Sequence, residues 1–366
     1  MAYAVELARQ GPAYGLNPQV GAVLLRDGQV IGVGWHKGAG SPHAEAAAIA
    51  DAQARGNDVR GATLVVTLEP CRHQGHTPPC TSLIQAAGIA RVYYACTDPG
   101  EAAGGGARVL TEAGVPITQL PSEAATELIH AWATSVELGR PYVTVKLATS
   151  LDGRVAAADG SSQWITGAAS RAHAHQVRAQ MDAIAVTTGT VQADNPRLTA
   201  RLPSGELAEH QPLRVIVGKS DISPDAHVFH DHGLLRHTDG AVMVSKPPDA
   251  RPQVIHLRTH DVIIVLTELA KLGVRHLLIE GGPALITACF RAGIVDEIHS
   301  YIAPVVIGAG PTAVSDYGAT TLGAAQRFTT KHVEKLGDDV LLIARRTKPN
   351  AADGSDGSGG SDGLDA

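Results

Sequence analysis

A chain of 366 residues holds two domains at about 100–200 residues each, and its 44% hydrophobic and 18% charged residues read as ordinary globular protein. A formal net charge of −6 argues against a broad nucleic-acid footprint, which needs clustered Lys and Arg. No apolar run approaches the roughly 18 residues of a membrane span, and four cysteines in so long a chain do not make a disulfide scaffold.

The start, Met1-Ala2-Tyr3-Ala4-Val5-Glu6, lacks a basic stretch followed by an apolar one, so no signal peptide is expected and the expected compartment is the cytoplasm. Residues 2–9 read as a short amphipathic helix. Val20 to Leu25 reads as a buried strand, Asp27-Gly28 as a hairpin turn, and Val30 to Gly34 as the return strand. An Ala-rich helix is expected from His43 to Arg55. A strand follows at Thr63 to Leu68, then a helix at Cys80 to Ala87 and a strand at Arg91 to Ala95. This alternation implies α/β layers. Residues 101–107, with three consecutive glycines, read as a flexible loop near a first site. A helix over 122–137 ends near Gly139, and Arg140-Pro141 marks the expected domain boundary, because Pro punctuates the chain before a fresh strand, Tyr142 to Ala148.

The second half alternates again. Strands are expected at Ala183 to Thr188, Leu213 to Val217, Ala241 to Ser245 and His276 to Glu280, with helices at 171–181 and 283–292. From Asp353 onward the Gly, Ser and Asp composition can bury almost nothing, and residues 349–366 are expected to be a disordered tail. The expected division is therefore 1–139, 140–348 and the tail.

The strongest chemical signal is His43-Ala44-Glu45 with Pro70-Cys71 and Pro79-Cys80. One imidazole and two thiolates suit zinc, and three protein ligands leave a fourth position open for water, as a catalytic site needs. Bound zinc brings that water's pKa towards about 7. Glu45, two residues past His43, is placed to move a proton from water to a leaving amine. Cys71 and Cys80 are each expected near a helix start, whose dipole favours thiolate. His73 or His76 could close the site as a fourth, structural ligand. Cys96 and Cys289 read as core residues.

These motifs resemble the zinc-dependent cytidine/deoxycytidylate deaminase superfamily. The long spacing from Cys71 to Cys80, with Gly75 and Thr77-Pro78-Pro79, and Asn17-Pro18-Gln19-Val20-Gly21 upstream, resemble the deaminase half of bifunctional riboflavin-biosynthesis enzymes. The resemblance runs from near residue 2 to about residue 346. It implies a three-layer α/β/α deaminase domain that removes an amino group from a diaminopyrimidine ribosyl phosphate, with Asn17, His36, His73 and Asp98 lining the pocket. This chain departs from the family at Arg72, usually Ser, at His76, usually Lys or Arg, and at Gly100, usually Asn. Arg72 is a candidate for the missing positive charge.

No Gly-x-Gly-x-x-Gly follows a strand at the start of either half, so a Rossmann cofactor site is not expected. His276 to Glu280 instead runs into Gly281-Gly282-Pro283 and a helix. That junction reads either as a tight turn or as a place where phosphate meets helix N–H groups. Lys146 to Gly153, Ser162 to Thr166, Gly189 to Pro196 and Leu198 to Arg201 resemble the reductase half of the same family, whose fold is dihydrofolate-reductase-like. The resemblance assigns Trp164, Thr190, Asp194, Gly282, Pro283, Ala284, Leu285, Ile286, Thr287 and Ala288 to NADPH. It assigns Ser162, Arg178, Leu198, Arg201 and Glu280 to substrate. Arg178 and Arg201 suit phosphate because a guanidinium grips it with two hydrogen bonds. Where relatives carry Asp-Ser after the strand ending Val217, this chain has Gly218-Lys219, and Lys219 is a candidate for the 2′-phosphate of NADPH. Expected partners are small pyrimidine ribosyl phosphates, with no nucleic acid or membrane, and a homo-oligomer formed through the reductase half.

Overall fold

The computed structural model describes residues 1–74, 78–229 and 254–347. The expected strand at 241–245, the tail, and Gly75, His76 and Thr77 of the cysteine loop lie outside the described residues.

The first half is a five-stranded sheet flanked by helices. In chain order it runs α1 (Ala2–Ala8), β1 (Gly21–Arg26), β2 (Gln29–Trp35), α2 (Ala44–Ala54), β3 (Thr63–Leu68), α3 (Cys80–Ala86), β4 (Arg91–Cys96), α4 (Gly106–Glu112), β5 (Ile117–Gln119) and α5 (Glu123–Leu138). The strand order is β2-β1-β3-β4-β5, antiparallel at the hairpin end and parallel from β3 to β5. Alternation along β1 sorts its side chains to two faces. Ala22 and Leu24 pack with Ala44 and Ala48 of α2, while Val23 packs with Ala4 and Leu7 of α1. Helices on both faces make the expected three layers. Small residues let α2 lie close to the sheet, since a Cβ on Gly34 would stand 2.3 Å from the backbone nitrogen of Ala48.

Among the described residues the second half is an eight-stranded sheet. It runs β6 (Tyr142–Ser150), α6 (Ala168–Arg178), β7 (Ala183–Thr187), α7 (Thr188–Asp194), β8 (Leu213–Val217), β9 (Val254–Leu257), α8 (Val262–Lys271), β10 (His276–Ile279), α9 (Pro283–Arg291), β11 (Glu297–Ala303), β12 (Phe328–Leu336) and β13 (Asp339–Arg346). The order is β12-β13-β11-β6-β10-β7-β8-β9, parallel from β11 to β9, with β13 and β12 added antiparallel. A parallel sheet buried on both faces reads as apolar runs, and Val143, Val145, Ala183, Ala185, Val215, Leu277 and Ile279 fill its core. Among the described residues no helix is long and apolar enough to cross a membrane.

Of the expected loop, residues 101–105 are turn and loop, while Gly106 and Ala107 open α4. Gly105, with φ 86°, caps α4, and a Cβ on Gly106 would fall 1.8 Å from the carbonyl oxygen of Pro70. These glycines allow the start of α4 to pack against the Pro70 loop.

One of the ties between the halves is a single carboxylate. Asp182, just before β7, accepts the Gly15 N–H at 2.5 Å with one oxygen, and the Arg275 and His276 N–H groups at 2.8 and 2.9 Å with the other.

Candidate active sites

His43 caps α2, Cys71 follows β3, and Cys80 opens α3. Their ligand atoms all lie within 4.8 Å of one another. His43 Nδ1 stands 3.5 Å from Cys71 Sγ and 3.4 Å from Cys80 Sγ. Bond lengths of about 2.1 Å to nitrogen and 2.3 Å to sulfur in a tetrahedron give a nitrogen-to-sulfur edge of about 3.6 Å, so the donor set fits zinc in kind and in spacing. Only Cys80 sits at a helix start; Cys71 lies in the preceding loop. The helix still serves both, because the Cys80 N–H points at Cys71 Sγ at 3.4 Å. Cys71 is drawn down to about 4, chiefly by the hydrogen bond from the Cys80 side chain and then by His43, against the opposing effect of burial. Cys80 is raised by that same bond and by burial.

Glu45 lies in the first turn of α2 and is buried. Burial raises its carboxyl above the ordinary range, in favour of the protonated form. Asn17, His36, His73 and Asp98 all line one cavity of about 310 Å³ with His43, Glu45 and Cys71. His36 Nδ1 lies 3.2 Å from the Pro42 carbonyl, an acceptor only, so Nδ1 carries the proton. Its Nε2 then accepts from the Asn17 amide at 3.1 Å. Burial lowers the His36 pKa and keeps the ring neutral.

Sequence reasoning missed three residues here. Buried Glu69 accepts the Ala107 N–H at 2.8 Å and the Asp98 N–H at 3.3 Å, so it holds the loop that carries Asp98. Its place beside Pro70-Cys71 was the available signal. Trp132 of α5 donates to the Leu16 carbonyl at 2.9 Å, and Arg275 enters from the second half; both line the cavity. Arg72, the candidate replacement charge, turns instead to the glycine loop, donating to the carbonyls of Gly104 and Glu101.

In the second half, the carboxyl ends of β10 and β7 meet the starts of α9 and α7, the crevice where open parallel sheets bind ligands. Gly282 caps α9 with φ 68°, and a Cβ there would stand 2.9 Å from Thr187 Oγ1 and 3.2 Å from Thr190 Oγ1. The glycine junction and Thr190 are thus packed together, and Asp194 ends the same short helix, α7. Pro283 and Ala284 open α9. Leu285 and Ile286 face the core, and Thr287 accepts the Ser315 N–H at 2.9 Å. Ala288 packs against the same core. Gly218 follows from a neighbour: with φ 135°, a Cβ would fall 2.5 Å from Thr188 Oγ1.

Arg178 is half-buried and forms a two-pronged pair with Glu280, at 2.6 and 2.7 Å, and also donates to the Thr199 carbonyl at 3.0 Å. Lys146 Nζ stands 3.7 Å from Glu280 Oε2, an oxygen that also accepts from Arg178. Leu198 is buried with φ 55°, and Arg201 donates to the Gly205 carbonyl at 2.8 Å. Trp164 is 69% exposed, with the Arg171 guanidinium 4.4 Å above its ring. Ser162 is half-buried on the same segment.

Comparison with known proteins places both halves. The cytidine and deoxycytidylate deaminase zinc-binding region matches residues 1–96, and the RibD C-terminal domain matches residues 141–342. The riboflavin biosynthesis protein RibD of Mycobacterium tuberculosis is 44% identical over 89% of this chain and 90% of its own length. The Escherichia coli protein of that name is 35% identical over 93% and 97%. Among solved structures, the Thermotoga maritima diaminohydroxyphosphoribosylaminopyrimidine deaminase/5-amino-6-(5-phosphoribosylamino)uracil reductase aligns with a TM-score of 0.82 at 33% identity, covering 95% of this chain and 97% of the other. Acinetobacter baumannii RibD aligns at 0.81 and 32%, covering 95% and 98%. The chain belongs to the RibD family, the bifunctional deaminase/reductases of riboflavin biosynthesis, with a zinc deaminase half and an NADPH-dependent reductase half.

Proposed function

We propose that the two reactions run at two separate sites, with residues 1–139 releasing ammonia from a diaminopyrimidine ribosyl phosphate and residues 140–348 reducing the ribosyl group of the product. The observation that carries this reading is the cluster of His43, Cys71 and Cys80 beside buried Glu45, in a cavity also lined by Asn17, His36, His73 and Asp98.

His43, Cys71 and Cys80 hold the metal, and zinc, when bound, supplies the Lewis acidity that activates water near neutral pH. Glu45 takes the proton that water loses and returns it to the departing amine, as a C–O bond forms, the C–N bond breaks and ammonia leaves. Its burial supports this, because a carboxyl with a raised pKa can serve in both directions. Asn17, oriented by His36, and Asp98, oriented by Glu69, position the pyrimidine.

In the second half, Thr190, Asp194, Trp164 and the Gly282–Ala288 segment hold the nicotinamide cofactor, and NADPH, when bound, supplies the hydride. At the start of α9, where Pro283 has no N–H and Leu285 and Ile286 donate to the Gly282 carbonyl, the Ala284 N–H is the donor left for its phosphates. Glu280, fixed by Arg178 and Lys146, together with Ser162, Leu198 and Arg201, forms the substrate side. The reading includes a cytoplasmic protein, which its free cysteines suit. It also includes association of copies through the second half, supported by the exposed apolar Val306, Leu322 and Val333 there.

The test is turnover of the diaminopyrimidine ribosyl phosphate, following ammonia and NADPH in separate assays. Ammonia is expected without NADPH, and NADPH oxidation only once the deaminated product is present. NADPH oxidation with no ammonia released would refute the proposal.

A further inference from the structure

The cavity around Glu45 is short of positive charge. Its lining includes the carboxylates of Glu45, Glu69, Asp98 and Glu101. Among the described lining residues the single Lys or Arg is Arg275, which belongs to the other half of the chain and lies just before β10. Its backbone is fixed by Asp182, the carboxylate that also holds the Gly15 N–H two residues before Asn17. Its side chain is not committed in the same way. Arg275 Nε is buried and has no hydrogen-bond partner. Buried polar groups are ordinarily satisfied, and one left unpaired on a cavity wall points to a ligand. A guanidinium offers donors in a fixed fork that matches the oxygens of a phosphate monoester.

We infer that Arg275 is the phosphate-recognising group of the first site, so that the reductase half supplies a specificity residue to the deaminase half. The inference rests on the proposed reading of the first site, whose substrate carries a ribosyl phosphate. Arg72 is the other nearby guanidinium, and it donates to the carbonyls of Glu101 and Gly104. Arg275, Asn17, Pro18 and Trp132 line both this cavity and a second one of about 280 Å³ between the halves, so Arg275 stands on their common wall. It is a specificity residue with no part in proton transfer, which distinguishes its expected signature from that of Glu45.

The experiment uses the full chain loaded with zinc, as wild type, R275Q and R275K. Ammonia release is measured on the diaminopyrimidine ribosyl phosphate and on the same riboside lacking phosphate. R275Q is expected to raise KM for the phosphorylated substrate by about tenfold to a hundredfold, the range lost with a charge-assisted hydrogen bond, while kcat changes by no more than about twofold. KM for the dephosphorylated riboside should stay within about twofold of wild type, and R275K should recover part of the loss because it keeps the charge without the fork. Zinc content and reduction of supplied deaminated product report that each variant is folded. Equal KM rises on both substrates, or none on the phosphorylated one, would overturn the assignment of Arg275 and leave the deaminase reading standing. Absence of ammonia release by wild type from the phosphorylated substrate would overturn that reading, and the inference with it.

Discussion

Replacing Glu280 by Gln tests the buried charge cluster of the second site. Glu280 is buried beside Arg178, at 2.6 and 2.7 Å, and Lys146, at 3.7 Å. Burial alone would raise its carboxyl, but the two cations and the Arg178 hydrogen bonds outweigh it and hold the group at about 2 against an ordinary 4.5. A folded pKa below the unfolded one gives stability that is present above pH 4.5 and lost as pH falls towards 2. The full difference is about 2.5 pKa units, or about 3.4 kcal/mol at pH 7. At pH 3 the same two pKa values leave about 1.4 kcal/mol. Gln mimics the protonated form, so E280Q should be less stable than wild type by about 3 kcal/mol at neutral pH, within the range for removing one partner of a buried pair. The difference should shrink by more than half at pH 3. Urea unfolding of both proteins at several pH values, followed by circular dichroism, measures it. A difference that stayed constant from pH 7 to pH 3 would refute the reasoning, because the loss would then come from packing and not from charge.

Glu45→Gln should lower ammonia release by about 10²–10⁴-fold, the usual share of a general acid–base group. Zinc content and reduction of supplied product should stay near wild type. Cys71→Ser should lose most of its zinc by elemental analysis, since serine is a poor ligand for this metal; full retention would remove Cys71 from the site. Gly34→Ala places a Cβ 2.3 Å from the Ala48 backbone nitrogen and 2.5 Å from the Ala44 carbonyl. It should cost about 1–3 kcal/mol by calorimetry and, because α2 carries His43 and Glu45, also weaken zinc retention.

The elements legible in the sequence are those whose pattern agrees with their burial. The β1–β2 hairpin announces itself through Asp27-Gly28, and α5 through its cap Ser122 and its end Gly139. The missed elements hide for definite reasons. In β11, the alternate buried positions include Glu297, His299 and Tyr301, so the inward face is polar or amphipathic. Glu297 is satisfied there by Arg345 at 2.7 Å, His299 at 2.7 Å and Tyr142 at 3.2 Å, partners that sequence alone does not reveal. β12 is an edge strand with nearly every residue exposed, so no alternation shows. The apolar run of α8 begins with valine and isoleucine, and its helical state depends on Asp261 capping the Ile263 and Ile264 N–H groups. The zinc cluster was legible because its ligands are rare residues with a chemical signature. Glu69 and Arg275 were not, because an acid and an arginine gain their roles only from what the fold sets beside them.

Strand β10 both joins and separates the two sites. Arg275, before its first residue, reaches the first cavity, and Glu280, after its last, belongs to the crevice at the opposite end. Five residues of extended chain at about 3.3 Å each put their backbones about 16 Å apart. Leu277, Leu278 and Ile279 between them are buried in the core. A change at one end therefore reaches the other only through the sheet, as a loss of stability felt by the whole half. Asp182 closes the argument. Its carboxylate holds the Gly15 loop of the first half and the Arg275 and His276 N–H groups of the second. The pocket that contains Asn17 is thus shaped partly by the reductase half, so separate chemistry does not mean independent folding.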